Sequence, residues 1–172
     1  FGLYLLLATS GDTVAALDAA DGWGNDAMVT FTRGDTTCIR VNFVGATPAA
    51  SSNLHDALNG WAALRPKSAT VTVNGDTTTL ASCDPGAAAV DPGNAPMTAL
   101  TAATVRNGLL SEAIGALGEK TASCVVDKVV RDPAFGPVLA AAVDNPSAQP
   151  AADVFQPFQA SVASSVASCS RT

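Results

Sequence analysis

The chain has 172 residues, is 48% hydrophobic and only 14% charged, and carries a formal net charge of −6. That is enough apolar matter for one domain or two small ones, and too little charge for a disordered chain. With nine Lys plus Arg against fifteen Asp plus Glu and no basic run, the chain is a poor candidate for binding nucleic acid, and equally poor for an anionic membrane surface, because both favour a concentrated positive charge.

The four cysteines, Cys38, Cys83, Cys124 and Cys169, are widely spaced and form no C-x-x-C pair. His55 is the single histidine, so a Cys/His zinc site has almost nothing to draw on and no metal or other cofactor is expected. An even count with wide spacing predicts disulfides and an oxidising, extracytoplasmic compartment. The rival reading is four buried free thiols in a cytosolic protein.

The first eight residues, Phe1 to Ala8, are apolar but too short to span a bilayer, and they lack the basic start of a signal peptide. They read either as an N-terminal strand or core-packed arm, or as the tail of a removed signal or membrane segment, with a membrane tether preceding Phe1. A Phe1 start is similar to that of processed type IV pilins. Position 5 is Leu5, however, where those pilins carry an acidic residue, and the apolar run stops at Thr9.

Asp12-Thr13 predicts a helix N-terminus, with Val14, Leu17 and Ala20 following at helical spacing and Gly22, Gly24 and Asn25 stopping it. Ala27-Val29-Phe31 then alternates with Met28-Thr30-Thr32, as a half-buried strand does. Arg33-Gly34-Asp35 is read as the turn. Ile39-Val41-Phe43 alternates with Cys38-Arg40-Asn42 on the return strand, and Gly45 to Ser52, with Pro48 inside it, is read as a loop.

Ser51, Ser52 or Asn53 is expected to cap a second helix reaching about Leu64, with Leu54, Ala57, Leu58 and Trp61 as its apolar stripe and Pro66 as its stop. Val71 and Val73 mark a third strand, Asn74-Gly75 a tight hairpin, and Thr78 to Cys83 a fourth strand. The order is helix, hairpin, helix, hairpin, and Gly-Asp-Thr-Thr recurs in both hairpins. This suggests an α-β-β duplication packed as a four-stranded antiparallel sheet with two helices on one face.

With Val29, Phe31, Ile39, Val41, Val71, Val73 and Leu80 facing the helices, Cys38 and Cys83 share the other face and are expected to bond. That face would also carry Thr30, Thr32, Arg40, Asn42, Thr70, Thr72 and Thr79. Thr30, Thr32, Arg40 and Asn42 are the candidate binding residues, on a polar sheet face open to water or to a partner.

Residues 87–97 read as a linker between an α+β domain, 1–86, and a small all-helical domain, 98–172. The first helix there starts at Thr98 or Thr101 and ends before Gly118, with Val105, Leu109, Leu110, Ala113, Ile114 and Leu117 as its apolar side. A helix over about Thr121 to Val130 carries Cys124. Asp132-Pro133 starts the next, which ends at Asn145-Pro146. The last begins near Asp153 and tolerates Pro157 in its first turn. Phe155, Phe158, Val162, Val166 and Cys169 form one face of it, which points Cys169 at the helical core with Cys124 as its natural partner; four cysteines allow three connectivities, and the sequence leaves the other two open.

No catalytic constellation is visible. No G-x-S-x-G, P-loop, H-E-x-x-H or G-x-G-x-x-G occurs, and His55 lies between Leu54 and Asp56 without a nucleophile nearby. Asp18, Asp21, Asn25 and Asp26 cluster near Trp23 but lack the alternating ligand pattern of a calcium loop, so capping and turn formation account for them. Arg33-Gly34-Asp35 matches an adhesion tripeptide by letters and is first of all a turn.

Arg-Gly-Asp-Thr-Thr-Cys-Ile-Arg-Val-Asn-Phe-Val, Ser-Cys-Asp-Pro-Gly and Ala-Ser-Cys-Val-Val-Asp, with the Ala/Thr-rich, lysine-poor usage, resemble secreted or cell-envelope proteins of high-GC bacteria such as actinobacteria. The resulting expectation is a secreted or cell-envelope, disulfide-stabilised, non-enzymatic protein. It would act as an interaction module or accessory subunit with a protein partner or through self-association. Alternatives are a small-molecule or lipid carrier, a pilin-like filament subunit with Phe1 to Ala8 buried in a neighbour, and a hydrolase built from aspartates and serines.

Overall fold

The structure is a computed structural model that describes residues 2–65, 68–89, 91 and 93–171. The expected helix stop at Pro66 lies outside the described residues, as do Phe1 and, within the expected linker, Val90 and Pro92. The chain divides into two compact units, Phe1–Pro96 and Met97–Thr172.

The first unit runs α1 (Gly2–Ala8), α2 (Thr13–Asp21), β1 (Trp23–Arg33), β2 (Thr36–Gly45), α3 (Pro48–Ala63), β3 (Ala69–Asn74) and β4 (Thr77–Cys83), then a single 3-10 turn over Gly86–Ala88. The four strands form one antiparallel sheet in the order β1-β2-β4-β3, two hairpins joined through β2 and β4. The α+β architecture and the four-stranded antiparallel sheet are as the alternation predicts.

Both hairpins turn through Gly-Asp. Arg33 pairs with Thr36 around Gly34-Asp35, and Asn74 with Thr77 around Gly75-Asp76. Gly34 and Gly75 hold φ of 61° and 59°, while no described non-glycine residue has positive φ. Glycine at the first central position with a negative φ after it is the type II′ solution, which suits the twist of paired strands. The second turn therefore centres on Gly75-Asp76, one residue beyond the expected Asn74-Gly75.

The first turn corrects a face. Arg33-Gly34-Asp35 taken as a three-residue turn would put odd residues of β1 beside odd residues of β2. The actual two-residue turn pairs Phe31 with Cys38, Val29 with Arg40, Thr30 with Ile39 and Thr32 with Thr37. A one-residue change in register moves every side chain of a strand to the other face. Val29 and Phe31 thus lie on the cysteine face, and Thr30 and Thr32 on the face shared with Val41. The assignments on β2, β3 and β4 stand: Val41 pairs with Leu80 and Leu80 with Val71, while Cys38 pairs with Cys83.

Helix α3 is the helix that lies on the sheet. Its buried residues Leu54, Leu58 and Trp61 pack with Val41, Phe43, Leu80 and Thr78 as the core, and α2 and α1 pack behind it. It begins earlier than its expected caps: Thr47 is the N-cap, accepting from Ala50 N, and Pro48 takes the first helical position rather than a loop. Ser51, one of the expected caps, is buried instead and accepts from Gly45 N at 3.0 Å. A Cβ at Gly45 would stand 2.3 Å from Ser51 N, so only glycine admits α3 this close to the end of β2. Residues Gly2–Ala8 are helical, with Tyr4, Leu7 and Ala8 buried.

Cys38 and Cys83 are bonded, with Cα atoms 3.9 Å apart. Cys83 N donates to Ser68 O, away from β2, which marks Cys38–Cys83 as a non-hydrogen-bonded pair, where facing side chains stand closest.

The second unit contains α4 (Ala95–Leu117), α5 (Glu119–Arg131), α6 (Phe135–Asp144) and α7 (Ala152–Cys169). Cys124 is bonded to Cys169, joining α5 to α7. Val125, Val126 and Val129 are buried on α5, and Phe158 stacks near Phe135 and Phe155 at 6.4 and 6.0 Å. On α7 the buried line is Phe158, Ser161, Ser165 and Cys169; of the expected stripe Phe158 and Cys169 are buried, while Phe155, Val162 and Val166 are half-buried beside that line. Small serines at the line of contact let the disulfide-linked helices approach. Pro157 falls in the second turn, not the first. On α4 the buried residues are Ala99 and Ala102, whereas Ile114, expected inside, is exposed.

Each disulfide closes a separation of 45 residues. Replacing Cys38 and Cys83 together by serine is expected to lower stability by about 2–4 kcal/mol, read from denaturant unfolding, chiefly by freeing the unfolded chain. An unchanged midpoint would show that the sheet holds itself together without the bridge.

Candidate functional site

The sequence-derived binding residues do not share a surface. Arg40 and Asn42 lie on the cysteine face of the sheet, while Thr30 and Thr32 lie on the opposite face of the β1 edge. The cysteine face carries Ala27, Val29 and Phe31 from β1, Arg40, Asn42 and Val44 from β2, Thr79 from β4, and Thr70 and Thr72 from β3. It is more apolar than the expected threonine face, since Val29 is 57% and Val44 36% exposed.

Two local contacts organise this face. The Arg40 guanidinium stands 5.8 Å over the Phe31 ring, and Thr79 Oγ1 donates to Asn42 Oδ1 at 2.8 Å. Phe31, Cys38 and Cys83 form one row across three strands, with Cys38 buried to 1%. Phe31 therefore stands beside the disulfide on its β1 side.

A cleft of about 860 Å³ opens at the end of the sheet that carries this disulfide. The β1–β2 hairpin supplies Arg33 and Thr36, α3 and the residues just after it supply Trp61 and Arg65, and Ser68 precedes β3. Ser82 and Cys83 come from the end of β4, followed by Asp84, Pro85, Ala88 and Ala89. Arg65 is fixed on three sides: its guanidinium lies 4.3 Å over the Trp61 ring, Nη1 donates to Trp61 O, and Nη2 donates to Thr9 Oγ1. Trp61 Nε1 donates to the same hydroxyl at 3.1 Å. Burial holds the Arg65 guanidinium below its ordinary range. Asp84 Oδ1 accepts from Gly86 N at 2.8 Å and pairs with neither arginine. Sequence reading passed over Arg65. The one local signal was Trp61 and Arg65 four apart at a helix end, where a guanidinium can stack on the ring and reach a terminal carbonyl.

The other sequence candidates lie apart from this cleft. His55, on α3, accepts at Nε2 from Asn59 Nδ2 at 2.7 Å, and its Nδ1 is 3.6 Å from Asp56 Oδ1. Trp23 Nε1 donates to Asp26 Oδ1, and Asn25 Oδ1 accepts from Asp26 N, so these residues organise the start of β1. Among the described residues no group of three or more His, Cys, Asp or Glu side chains is placed to hold a metal ion, and no helix is long and apolar enough to cross a membrane. In the second unit, Asp132 accepts from Ala134 N at 2.8 Å; that bond holds its carboxyl below the usual range.

No family model, curated protein or solved structure matches the chain.

The register makes a direct prediction. Phe31→Ala should speed reduction of the Cys38–Cys83 bridge by dithiothreitol several-fold, whereas Thr30→Ala, on the other face, should leave the rate unchanged. Equal rates in both variants would break the face assignment. A second prediction concerns acid. The depressed Asp132 carboxyl stabilises the fold above its ordinary value of 3.8, and that contribution fades as pH falls through the lowered one. Asp132→Asn should lower stability at neutral pH and flatten the acid limb of the unfolding curve, followed by helical circular dichroism.

Proposed function

We propose that the chain is an extracytoplasmic, non-enzymatic binding module that engages a protein partner through the cysteine face of its sheet. The bonding of all four cysteines fits an oxidising compartment. The observation that carries the reading is the exposed face itself. A covered sheet face would bury its β-branched residues, yet here Val29, Val44, Thr70 and Thr72 are exposed beside Arg40 and Asn42. Apolar centres interleaved with arginine and hydrogen-bonding side chains are the usual make-up of a protein interface. The secreted or cell-envelope setting belongs to the same proposal.

A photo-crosslinking residue at Thr72 tests this in envelope preparations from the native host. Position 72 should capture a discrete partner, and position Asn59 on the exposed side of α3 should not. Val29→Asp, a charge placed on the face at an exposed site, should reduce capture from position 72 at least tenfold, about 1.4 kcal/mol of binding. Equal capture from both positions, or none from either, would sink the proposal. A carrier reading is favoured by a different observation, the cleft beside Arg65.

A further inference from the structure

We infer that the cleft between the β1–β2 hairpin tip, the end of α3 and the end of β4 binds a small organic oxyanion, a carboxylate or phosphate attached to a compact apolar group. The inference goes beyond the partner-binding face and does not depend on it.

The charge comes first. In a chain of net charge −6, this cleft gathers, among the described residues, Arg33 and Arg65 against one carboxylate, Asp84. Arg65 forms no ion pair among the described residues. Its donors go to two neutral oxygens, Trp61 O and Thr9 Oγ1, and its plane is set by the Trp61 ring. A half-buried guanidinium without a counterion is a desolvated charge that an incoming anion would offset. Bonding to the α3 end answers only part of it, because a helix terminus presents about half a charge. Guanidinium groups have five N–H donors in a planar fork, and Arg65 commits two nitrogens, leaving hydrogens for a further acceptor. The Arg33 guanidinium has no partner among the described residues.

Shape and lining define the rest of the ligand. The volume is in the range of small-molecule sites. Thr36, Ser68 and Ser82 offer hydroxyl donors for remaining oxyanion lone pairs. Pro85, Ala88, Ala89 and the Cys83 disulfide give an apolar wall that an inorganic ion would leave unused. The walls are tied together: the Cys38–Cys83 bond fixes the β4 end, Asp84 N donates to Thr37 O, and Arg65 O accepts from Ser68 N and Ala69 N. A site held this way spends little binding energy on ordering itself.

Titrating the isotope-labelled full chain with phenyl phosphate, benzoate and inorganic phosphate, followed by amide resonances, tests the inference. The amides of Ser82, Cys83, Asp84 and Gly86 should shift and saturate, with phenyl phosphate binding more tightly than inorganic phosphate. Arg33→Gln, on an exposed hairpin where the fold does not depend on it, should weaken binding roughly tenfold, the cost of one charge-assisted contact. Asp84→Asn should tighten it, because it removes an opposing charge from the cleft lining and keeps the oxygen that accepts from Gly86 N. Arg65→Gln should abolish it. Shifts absent from the cleft amides, or affinity unchanged in Arg33→Gln, would overturn the inference. Equal affinity for phenyl and inorganic phosphate would overturn the part that assigns an apolar body. Crosslinking from Thr72 reads a different surface, so failure here and failure of the partner-binding reading are told apart.

Discussion

The two-residue turn at Gly34-Asp35 is the constraint from which the first unit follows. It sets the β1–β2 register, and register decides faces because side chains alternate along a strand. Phe31 falls opposite Cys38, Cys38 opposite Cys83, and the three make one row. The same count places Arg33 and Thr36 as the last pair of the ladder, beside the end of β4. A turn longer by one residue would carry Phe31 away from the disulfide and hand its place to a threonine. The bridge, the Arg40–Phe31 stack and the hairpin wall of the cleft thus share one cause.

Helix α3 is the second organising element. It packs on the sheet through Leu54, Leu58 and Trp61, and its first turn meets the end of β2 because Gly45 has no Cβ. Helices α1 and α2 then pack behind it rather than on the strands. The N-terminal segment nevertheless reaches the cleft, since Thr9 accepts from both Trp61 Nε1 and Arg65 Nη2. That single hydroxyl links the α1 end, the α3 end and the guanidinium. Preorganisation at the cleft comes from backbone elements meeting there, not from the cleft residues alone.

Much of this architecture was legible in the residues. Alternation on β2, β3 and β4 identified the buried face, and parity then paired Cys38 with Cys83. Helical stepping brought Cys169 toward Cys124. What failed did so for physical reasons. Counting Arg33 into the turn inverted β1, because one residue is half the strand period. Pro48 read as a loop residue although proline suits the first position of a helix, where its missing N–H costs nothing. On α7 the large residues drew attention, yet Ser161 and Ser165 line the contact, since close helix approach selects for small side chains. The cleft was invisible because Arg33, Arg65 and Ser82 are brought together only by the sheet order β1-β2-β4-β3.

The repeated Gly-Asp-Thr-Thr hairpins make the two α-β-β segments look equivalent, but their surroundings are not. A symmetric duplication would place one helix over each hairpin. Here α3 covers the sheet centre and β3, α2 stacks on α3, and β1 is left at the edge with Met28 61% and Val29 57% exposed on its two faces. Burial is therefore concentrated on β2 and β4, where Val41, Phe43, Thr78 and Leu80 meet α3 on one side and the disulfide braces the other. A strand exposed on both faces contributes little to the core, so nothing in the packing of unit 1 requires Val29 or Phe31 to be apolar on the cysteine face beyond the place Phe31 takes beside Cys38. Val29 in particular is explained by neither the core nor the bridge. An apolar side chain held on a rigid ladder beside Arg40, with no buried role, is the residue-level reason to look for function on that face.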